Sequence, residues 1–137
     1  MRYAGDVTPE QAWSALRDDP AAVLVDVRTR AEWSYVGLPD LAGIGKDVVL
    51  VEWQTYPAGT VNERFTDELA SAGVERDAPV YLLCRSGVRS VAAAEAATRD
   101  GWLHAHNVLD GFEGPHDGQR HRTVSGWKVA GLPWVQG

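Results

Sequence analysis

The sequence contains only one cysteine, no apolar run long enough to cross a membrane, and no long basic run. A single cysteine cannot form an internal disulfide, which fits a reducing compartment. The opening segment, MRYAGDVTPEQAW, lacks the apolar core of a signal peptide, so we expect a cytoplasmic protein without a membrane partner. A net charge of -6 without a basic run argues against nucleic acid as a partner.

The overall composition is typical of a globular domain. Apolar residues make up 45% of the chain and charged residues 23%, a balance that disordered chains do not have. A length of 137 residues suits one domain with a core of ordinary size, and no internal repeat or low-complexity tract divides it. We therefore expect residues 1–137 to form a single domain.

Apolar runs with many β-branched residues predict the strands of a sheet. Three of them, AVLVDV, DVVLVEW and PVYLLC, have the character of buried parallel strands, and HAHNVLDG predicts a further short strand. Segments with helical patterns lie between these runs. Strands that alternate with helices are typical of an α/β domain with a mainly parallel sheet.

Local signals predict where the helices begin and end. Residues 8–11 have the spacing of a capping box with proline at the first helical position, which predicts a helix that ends near Asp19. In NERFTDELASAG, Asn62 is the predicted cap and Gly73 the predicted end. The alanine-rich SVAAAEAATRDG predicts a helix after the cysteine, and the segment around Trp127 allows a short helix.

Cys84 is the first candidate for a functional residue. A free cysteine is most often buried and inert, and this interpretation stays open. The apolar run stops at Cys84, however, and the turn-prone segment 85–90 follows, so we expect the sulfur to reach the surface in a cationic environment. Ligands of open α/β sheets bind outside the carboxyl ends of the strands. A helix N-terminus close to Arg85 and Arg89 favours an anion, which indicates a thiolate nucleophile.

Three segments resemble the rhodanese-like sulfurtransferases. CRSGVRS at residues 84–90 is similar to that family's six-residue active-site loop, in which four residues separate cysteine from arginine. LVDVRTRAEW at residues 24–33 is similar to its Asp-Val-Arg strand end, and GWKVAGLPW at residues 126–134 is similar to its terminal aromatic segment. The resemblance covers about residues 8–134. It implies a single rhodanese domain, with a mainly parallel five-stranded sheet flanked by helices on both faces.

Three other segments depart from the family pattern. SYVGLPDLAGIG, after Trp33, lacks the Gly-His-Ile-Pro-Gly-Ala pattern that is common in the family. The stretch EWQTYPAGTVN carries Trp53 and Tyr56, whose side chains could line the mouth of the site. An extended glycine-rich loop over about residues 111–126 is longer than the family usually has.

The resemblance implies sulfur transfer. Phosphatases that share the rhodanese fold use a loop one residue longer, and the shorter loop here suits a single sulfur atom better than a tetrahedral phosphate. The Cys84 thiolate would attack a small anionic donor such as thiosulfate, and the persulfide would pass its sulfur to a thiol, to cyanide or to a partner protein. Neither a cofactor nor a metal is implied. The implied substrate-binding residues after catalytic Cys84 are Arg85, Ser86, Gly87, Val88, Arg89 and Ser90.

Other residues are interpreted as supporting the loop. Asp26, at a strand end, is predicted to pair with Arg89 or to accept loop N–H groups, and Arg28 is predicted to act similarly. His104 and His106 share one face of a strand but have no matched third ligand, so we do not expect a metal site.

Two functions from other classes stay open. A thiol-based reductase, for instance of arsenate, would need an external thiol because the chain has no second cysteine. A non-catalytic rhodanese module that binds a partner would be expected to lose the loop cysteine, whereas Cys84 is present here. The sequence indicates neither the physiological donor and acceptor nor the oligomeric state.

Overall fold

Strands and helices alternate along most of the chain. The computed structural model describes residues 3–55, 59–84, 88–109, 111–113 and 126–135, apart from the side chains of Tyr35 and Val88. The elements in chain order are β1 (Gly5–Val7), α1 (Pro9–Asp18), β2 (Val23–Asp26), α2 (Arg30–Tyr35), β3 (Leu38–Pro39), a 3₁₀ turn (Ala42–Ile44), β4 (Val49–Leu50), β5 (Gln54–Thr55), β6 (Thr60–Val61), α3 (Phe65–Ser71), β7 (Val80–Leu83), α4 (Val88–Arg99), β8 (Ala105–Val108) and β9 (Trp134–Val135).

Five strands form a parallel sheet in the order β1-β8-β7-β2-β4, which confirms the predicted sheet. β7 lies in the centre, with Leu83 opposite Asp26 of β2 and Leu82 opposite Asn107 of β8. Because the strands are parallel, their carboxyl ends meet at one edge, the edge at which α/β sheets bind ligands. Two short antiparallel pairs, β3 with β9 and β5 with β6, complete the described strands.

The two faces of the sheet carry two separate apolar clusters. On β7, Val80 and Leu82 belong to one cluster while Tyr81 and Leu83 belong to the other, because successive side chains of a strand point to opposite faces. The first cluster includes residues of α3 and α4, and the second includes residues of α1. Helices therefore cover both faces, as predicted, and each fully buried leucine or valine contributes about 2 kcal/mol of hydrophobic stabilisation.

The predicted start of α1 is confirmed. The N–H of Gln11 donates to Thr8 Oγ1 at 3.1 Å, and the N–H of Thr8 donates to Gln11 Oε1 at 2.8 Å. These reciprocal bonds satisfy two backbone donors that a helix start otherwise leaves unpaired. The helix ends at Asp18, next to the predicted Asp19.

The predicted cap of α3 is wrong, although its predicted end is confirmed. The helix begins at Phe65, and Arg64 precedes it without a side-chain cap. Asn62 instead accepts from the N–H of Arg64 at 3.0 Å, and its side-chain amide donates to the carbonyl of Glu52. The side-chain oxygen of Asn62 is therefore bonded within a local turn that precedes the helix, and it does not cap the helix. Gly73 follows the helix with a φ of +85°, a left-handed conformation that glycine adopts without strain.

The segment around Trp127 forms consecutive turns and not the short helix that the sequence allows. The N–H of Ala130 donates to the carbonyl of Gly126 at 2.9 Å, and Gly131 then turns the chain with a φ of +77°. Trp127 is buried and donates from Nε1 to the carbonyl of Pro133 at 2.8 Å. Among the helices that the structure describes, none is long and apolar enough to cross a membrane.

Candidate active site

Cys84 directly follows β7, at the carboxyl end of the central strand. Its side chain is buried, with 1% of its surface exposed, which corrects the expectation that the sulfur reaches the surface. The reason is that α4 begins at Val88, so that its first turn lies close to the strand end and places Ser90 Oγ 3.2 Å from the sulfur. The segment after β8 borders the same edge, because the N–H of Phe112 donates to the carbonyl of Cys84 at 2.7 Å.

Ser90 connects the thiol to polar side chains on two further strands. Its hydroxyl donates to Asn107 Oδ1 of β8 at 2.5 Å, and both residues are buried. Asn107 Nδ2 in turn donates to Asp6 Oδ1 of β1 at 3.1 Å. Asp6 is exposed. A series of hydrogen bonds therefore runs from the buried sulfur across the sheet to the solvent.

Arg89 is held by Glu32 of α2. The guanidinium nitrogens Nη1 and Nη2 donate to Oε1 and Oε2 at 2.7 and 2.8 Å, a bidentate pair in which 21% of the arginine and 18% of the glutamate side chain are exposed. The hydrogen bonds to Glu32 raise the pKa of Arg89; burial opposes this rise, and negative charges on Glu32, Cys84 and Asp26 add to it. The guanidinium therefore lies within electrostatic reach of the Cys84 sulfur.

Glu32 also caps the helix on which it lies. Its Oε1 accepts from the N–H of Thr29 at 3.1 Å, while Thr29 Oγ1 accepts from the N–H of Glu32. Burial by itself raises the pKa of Glu32, but the hydrogen bonds from Arg89 and Thr29 and the charges of Arg89 and Arg28 outweigh burial, so that this pKa lies below its ordinary value. The sequence did not single out Glu32 as a site residue, although its spacing from Thr29 is that of a capping box.

Asp26 pairs with Arg28, and the predicted pair with Arg89 is wrong. Both side chains are fully buried at the end of β2, with Arg28 Nη2 2.7 Å from Asp26 Oδ2 and Nε 3.0 Å from Oδ1. The N–H of Arg28 also donates to Asp26 Oδ1. A partner two residues along the chain thus occupies both carboxylate oxygens, and Arg89 contacts Glu32 instead.

Arg28 links the end of β2 to its surroundings. Its Nη2 donates to the carbonyl of Gly37 at 2.6 Å, and its guanidinium carbon lies 4.2 Å from the centre of the Phe112 ring. Since the N–H of Phe112 bonds to the carbonyl of Cys84, the Asp26–Arg28 pair contacts the segment that borders the thiol. This placement agrees with a supporting role and gives neither residue a direct contact with the sulfur.

Several predicted site residues lie outside the described part of the chain: Arg85, Ser86, Gly87, the side chain of Val88, Tyr56, and most of the glycine-rich loop at residues 111–126.

Trp53 packs edge-on against Phe65 with ring centres 5.2 Å apart, at the border of the apolar cluster that contains Cys84. His106 stacks on Tyr81 with ring centres 4.9 Å apart. Within the described ranges, no three His, Cys, Asp or Glu side chains are grouped so that they could hold a metal ion.

Over almost its full length, the chain matches the model of a protein family and resembles a solved structure. The family described as STR4 middle domain matches residues 4–137. The crystal structure of Rv0390 from M. tuberculosis is 55% identical in sequence and has a TM-score of 0.90, covering 98% of this chain and 99% of that one.

Three proteins compared by sequence extend this similarity. An uncharacterized protein of Rickettsia conorii is 37% identical over 94% of this chain and 95% of its own length. The chloroplastic rhodanese-like domain-containing protein 4 of Arabidopsis thaliana is 28% identical over 96% of this chain, which spans 26% of that longer protein. The thiosulfate sulfurtransferase GlpE of Actinobacillus pleuropneumoniae is 25% identical over 93% of this chain and 90% of its own length.

Proposed function

Since the chain belongs to the rhodanese-like family, we propose that it is a sulfurtransferase that moves a sulfane sulfur through a persulfide on Cys84. The observation that carries the proposal is the position of this thiol. It lies at the carboxyl end of the central strand, directly before α4, with Ser90 against its sulfur and Arg89 within electrostatic reach. The similarity to a thiosulfate sulfurtransferase supports thiosulfate or a related anion as the donor.

In the first step, the Cys84 thiolate attacks the outer sulfur of thiosulfate, after its proton has passed to solvent. A bond forms between Sγ and that outer sulfur, the sulfur–sulfur bond of thiosulfate breaks, and its electron pair leaves with sulfite. The product is an anionic persulfide on Cys84. The N-terminus of α4 and the guanidinium of Arg89 provide positive potential where this negative charge lies.

In the second step, a thiophilic acceptor attacks the outer sulfur of the persulfide. The sulfur–sulfur bond breaks, and its electron pair returns to Cys84 as the thiolate. Cyanide becomes thiocyanate in this step, and a thiol acceptor becomes a persulfide. Because the chain has one cysteine, the acceptor is an external molecule: cyanide, a small thiol or a thiol of a partner protein.

The burial of Cys84 supports a small donor. The sulfur of a cysteine residue that is 1% exposed is accessible only to a terminal atom of a slender molecule, and the outer sulfur of thiosulfate is such an atom. The same burial fits the alternative of an inert core thiol. Arg89 favours the reactive interpretation, since a guanidinium within electrostatic reach stabilises a charged sulfur.

The proposed organisation is a single rhodanese domain over residues 1–137 that acts in the cytoplasm. The reaction as written needs neither a metal nor a cofactor, because the sulfur atoms carry the electron pairs in both steps. The small anionic donor and the external acceptor are therefore the partners that the function requires.

Thiocyanate formation from thiosulfate and cyanide tests this proposal. We expect ping-pong kinetics for the wild-type protein and no turnover for Cys84→Ser, whose hydroxyl is a poor nucleophile toward sulfur. Far-UV circular dichroism of Cys84→Ser controls for folding. A parallel assay with arsenate and glutathione should be slower at equal protein concentration. No thiocyanate from the wild-type protein, equal turnover by Cys84→Ser, or a faster arsenate reaction would contradict the proposal.

A further inference from the structure

We propose that Asp6 and Asn107 are positioning residues which, through Ser90, determine whether the Cys84 sulfur is held as a thiol or as a thiolate. The four side chains form one connected series of hydrogen bonds, with distances of 3.2 Å from Cys84 to Ser90, 2.5 Å from Ser90 to Asn107 and 3.1 Å from Asn107 to Asp6. The importance of this control rests on the proposed sulfur transfer, but its test is made on the thiol itself.

The direction of each hydrogen bond follows from the exposed carboxylate of Asp6. An ionised carboxylate only accepts hydrogen bonds, so Asn107 directs its Nδ2 toward Asp6. The amide oxygen of Asn107 then faces Ser90, and because an amide oxygen also only accepts, the hydroxyl hydrogen of Ser90 points to Asn107. The hydrogen between Ser90 Oγ and Sγ must therefore come from the thiol of Cys84.

This arrangement suits a thiol and opposes a thiolate. If Cys84 loses its proton, lone pairs of Sγ and of Ser90 Oγ face each other with no hydrogen between them. Ser90 can turn its hydroxyl toward the sulfur, but the buried oxygen of Asn107 then loses its donor, which is unfavourable. Asn107 cannot compensate by rotating its amide, because its oxygen would then face the carboxylate of Asp6.

A second donor to the carboxylate reinforces the arrangement. The hydroxyl of Tyr3 donates to Asp6 Oδ1 at 2.8 Å, on the same oxygen that accepts from Asn107. This contact helps to hold the carboxylate in the position that orients the amide. Because Tyr3 holds the Asp6 carboxylate in place, a substitution of Asp6 should change the orientation of the Asn107 amide and, through Ser90, the hydrogen bonding of the sulfur.

Charged groups lie at the same edge of the sheet as Cys84, and the hydrogen-bond series acts against the guanidinium of Arg89. Among the described residues, the charged groups at this edge of the sheet are Arg89 of α4 with its partner Glu32, and the buried pair Asp26 and Arg28 at the end of β2. The Asp26–Arg28 pair has no net charge, whereas the guanidinium of Arg89 favours the thiolate. Arg89 and the hydrogen-bond series that begins at Asp6 therefore act on the Cys84 sulfur in opposite directions.

The test replaces Asp6 by asparagine. In Asp6→Asn, residue 6 can donate, so Asn107 can turn its oxygen toward it and its Nδ2 toward Ser90. The Ser90 hydroxyl is then free to donate to the thiolate. We expect the pH midpoint of Cys84 alkylation by iodoacetamide to fall by about one unit, which makes alkylation below the midpoint about tenfold faster. Asp6→Ala, which removes the acceptor without adding a donor, should shift the midpoint in the same direction by less.

Removal of a carboxylate also favours a thiolate through charge alone, and Ser90→Ala separates the two causes. In a double-mutant cycle, Asp6→Asn should shift the midpoint clearly more when Ser90 is present than in the Ser90→Ala background, where only the effect of the lost charge remains. Asp18→Asn, which removes an exposed carboxylate outside the series, should leave the profile unchanged. The proposal is overturned by an unshifted midpoint in Asp6→Asn or by an equal shift with and without Ser90. Alkylation involves no sulfur transfer, so neither result depends on whether the chain is a sulfurtransferase.

Discussion

Arg89 and Glu32 meet as a bidentate ion pair although 57 positions separate them in the sequence. The pair joins the first turn of α4, beside Cys84, to the helix α2 that follows β2. Arg89 therefore has its charge close to the sulfur and its hydrogen bonds directed elsewhere. This division of roles lets the two residues be tested separately, through the reactivity of the thiol and through the stability of the fold.

Replacing Arg89 should make Cys84 less reactive. In Arg89→Ala we expect the pH midpoint of alkylation by iodoacetamide to rise and persulfide formation to slow by about tenfold, because a charge-stabilising neighbour of the thiolate is lost. Arg89→Lys should recover only part of the rate, since an ammonium cannot make the bidentate contact with the Glu32 carboxylate that a guanidinium makes. Arg17→Ala, at an exposed ion pair, is the matched control. An alkylation profile that is unchanged in Arg89→Ala would show that the charge of Arg89 does not contribute to the reactivity of Cys84.

Glu32 should contribute stability that depends on pH. The folded protein lowers the pKa of Glu32 from its ordinary value of 4.5, so the ionised form stabilises the fold above that value and loses its contribution as the pH falls through the lowered pKa. We expect Glu32→Gln to lose about 1–2 kcal/mol in the free energy of unfolding at neutral pH, as suits a half-buried pair.

Urea unfolding followed by tryptophan fluorescence at several pH values measures this effect. The difference in unfolding free energy between wild type and Glu32→Gln should shrink as the pH falls from about 5 to about 3. A difference that stays constant over this range would assign the loss to the changed helix cap and not to the ion pair with Arg89.

Breaking the buried Asp26–Arg28 pair should strongly lower the free energy of unfolding. Asp26→Asn leaves a buried guanidinium without a compensating charge, and we expect a loss of about 3–5 kcal/mol in the free energy of unfolding. The double variant Asp26→Leu with Arg28→Met should be less destabilised than Asp26→Asn, because it leaves no unpaired charge. Asp18→Asn, at an exposed pair, should show no measurable change in the same urea titration. Equal stability of Asp26→Asn and wild type would refute the supporting role.

The length of the active-site loop should decide between sulfur and phosphate. We expect negligible hydrolysis of an aryl phosphate by the wild-type protein, because a six-residue loop is too small to bond all equatorial oxygens of a phosphoryl group. Inserting one glycine between Ser86 and Arg89 should weaken thiocyanate formation. Release of the coloured phenol measures the hydrolysis directly. Efficient turnover of the phosphate by the wild-type protein would disprove the loop-size argument.

Elements whose signals are local could be predicted from the sequence. The capping box of Thr8 and Gln11 is predictable because both partners lie within one helical turn. The edge strand β1, in contrast, spans only Gly5–Val7 and contains no apolar run. It is a strand because it pairs with β8, about a hundred residues further along the chain, and such a distant partner leaves no periodic pattern in a short segment.

The site residues, too, divide into those that a local motif reveals and those that only the fold brings together. Cys84 and Arg89 could be found from a contiguous motif, whereas the partner of Arg89 could not, because several carboxylates are available to one guanidinium. Asp26 is not that partner, because Arg28, two residues away, already pairs with its carboxylate. The bonds that join Ser90, Asn107 and Asp6 depend on the sheet order β1-β8-β7, which no local pattern of residues encodes.

Intact mass spectrometry of the protein before and after thiosulfate tests the central claim most directly. The account predicts that the wild-type protein gains the mass of one sulfur atom, keeps it in the absence of an acceptor, and returns to its starting mass when cyanide or glutathione is added. Cys84→Ser should gain nothing under the same conditions. A wild-type protein that gains no sulfur, or a Cys84→Ser variant that gains as much as wild type, would contradict the claim that a persulfide on Cys84 carries the sulfur.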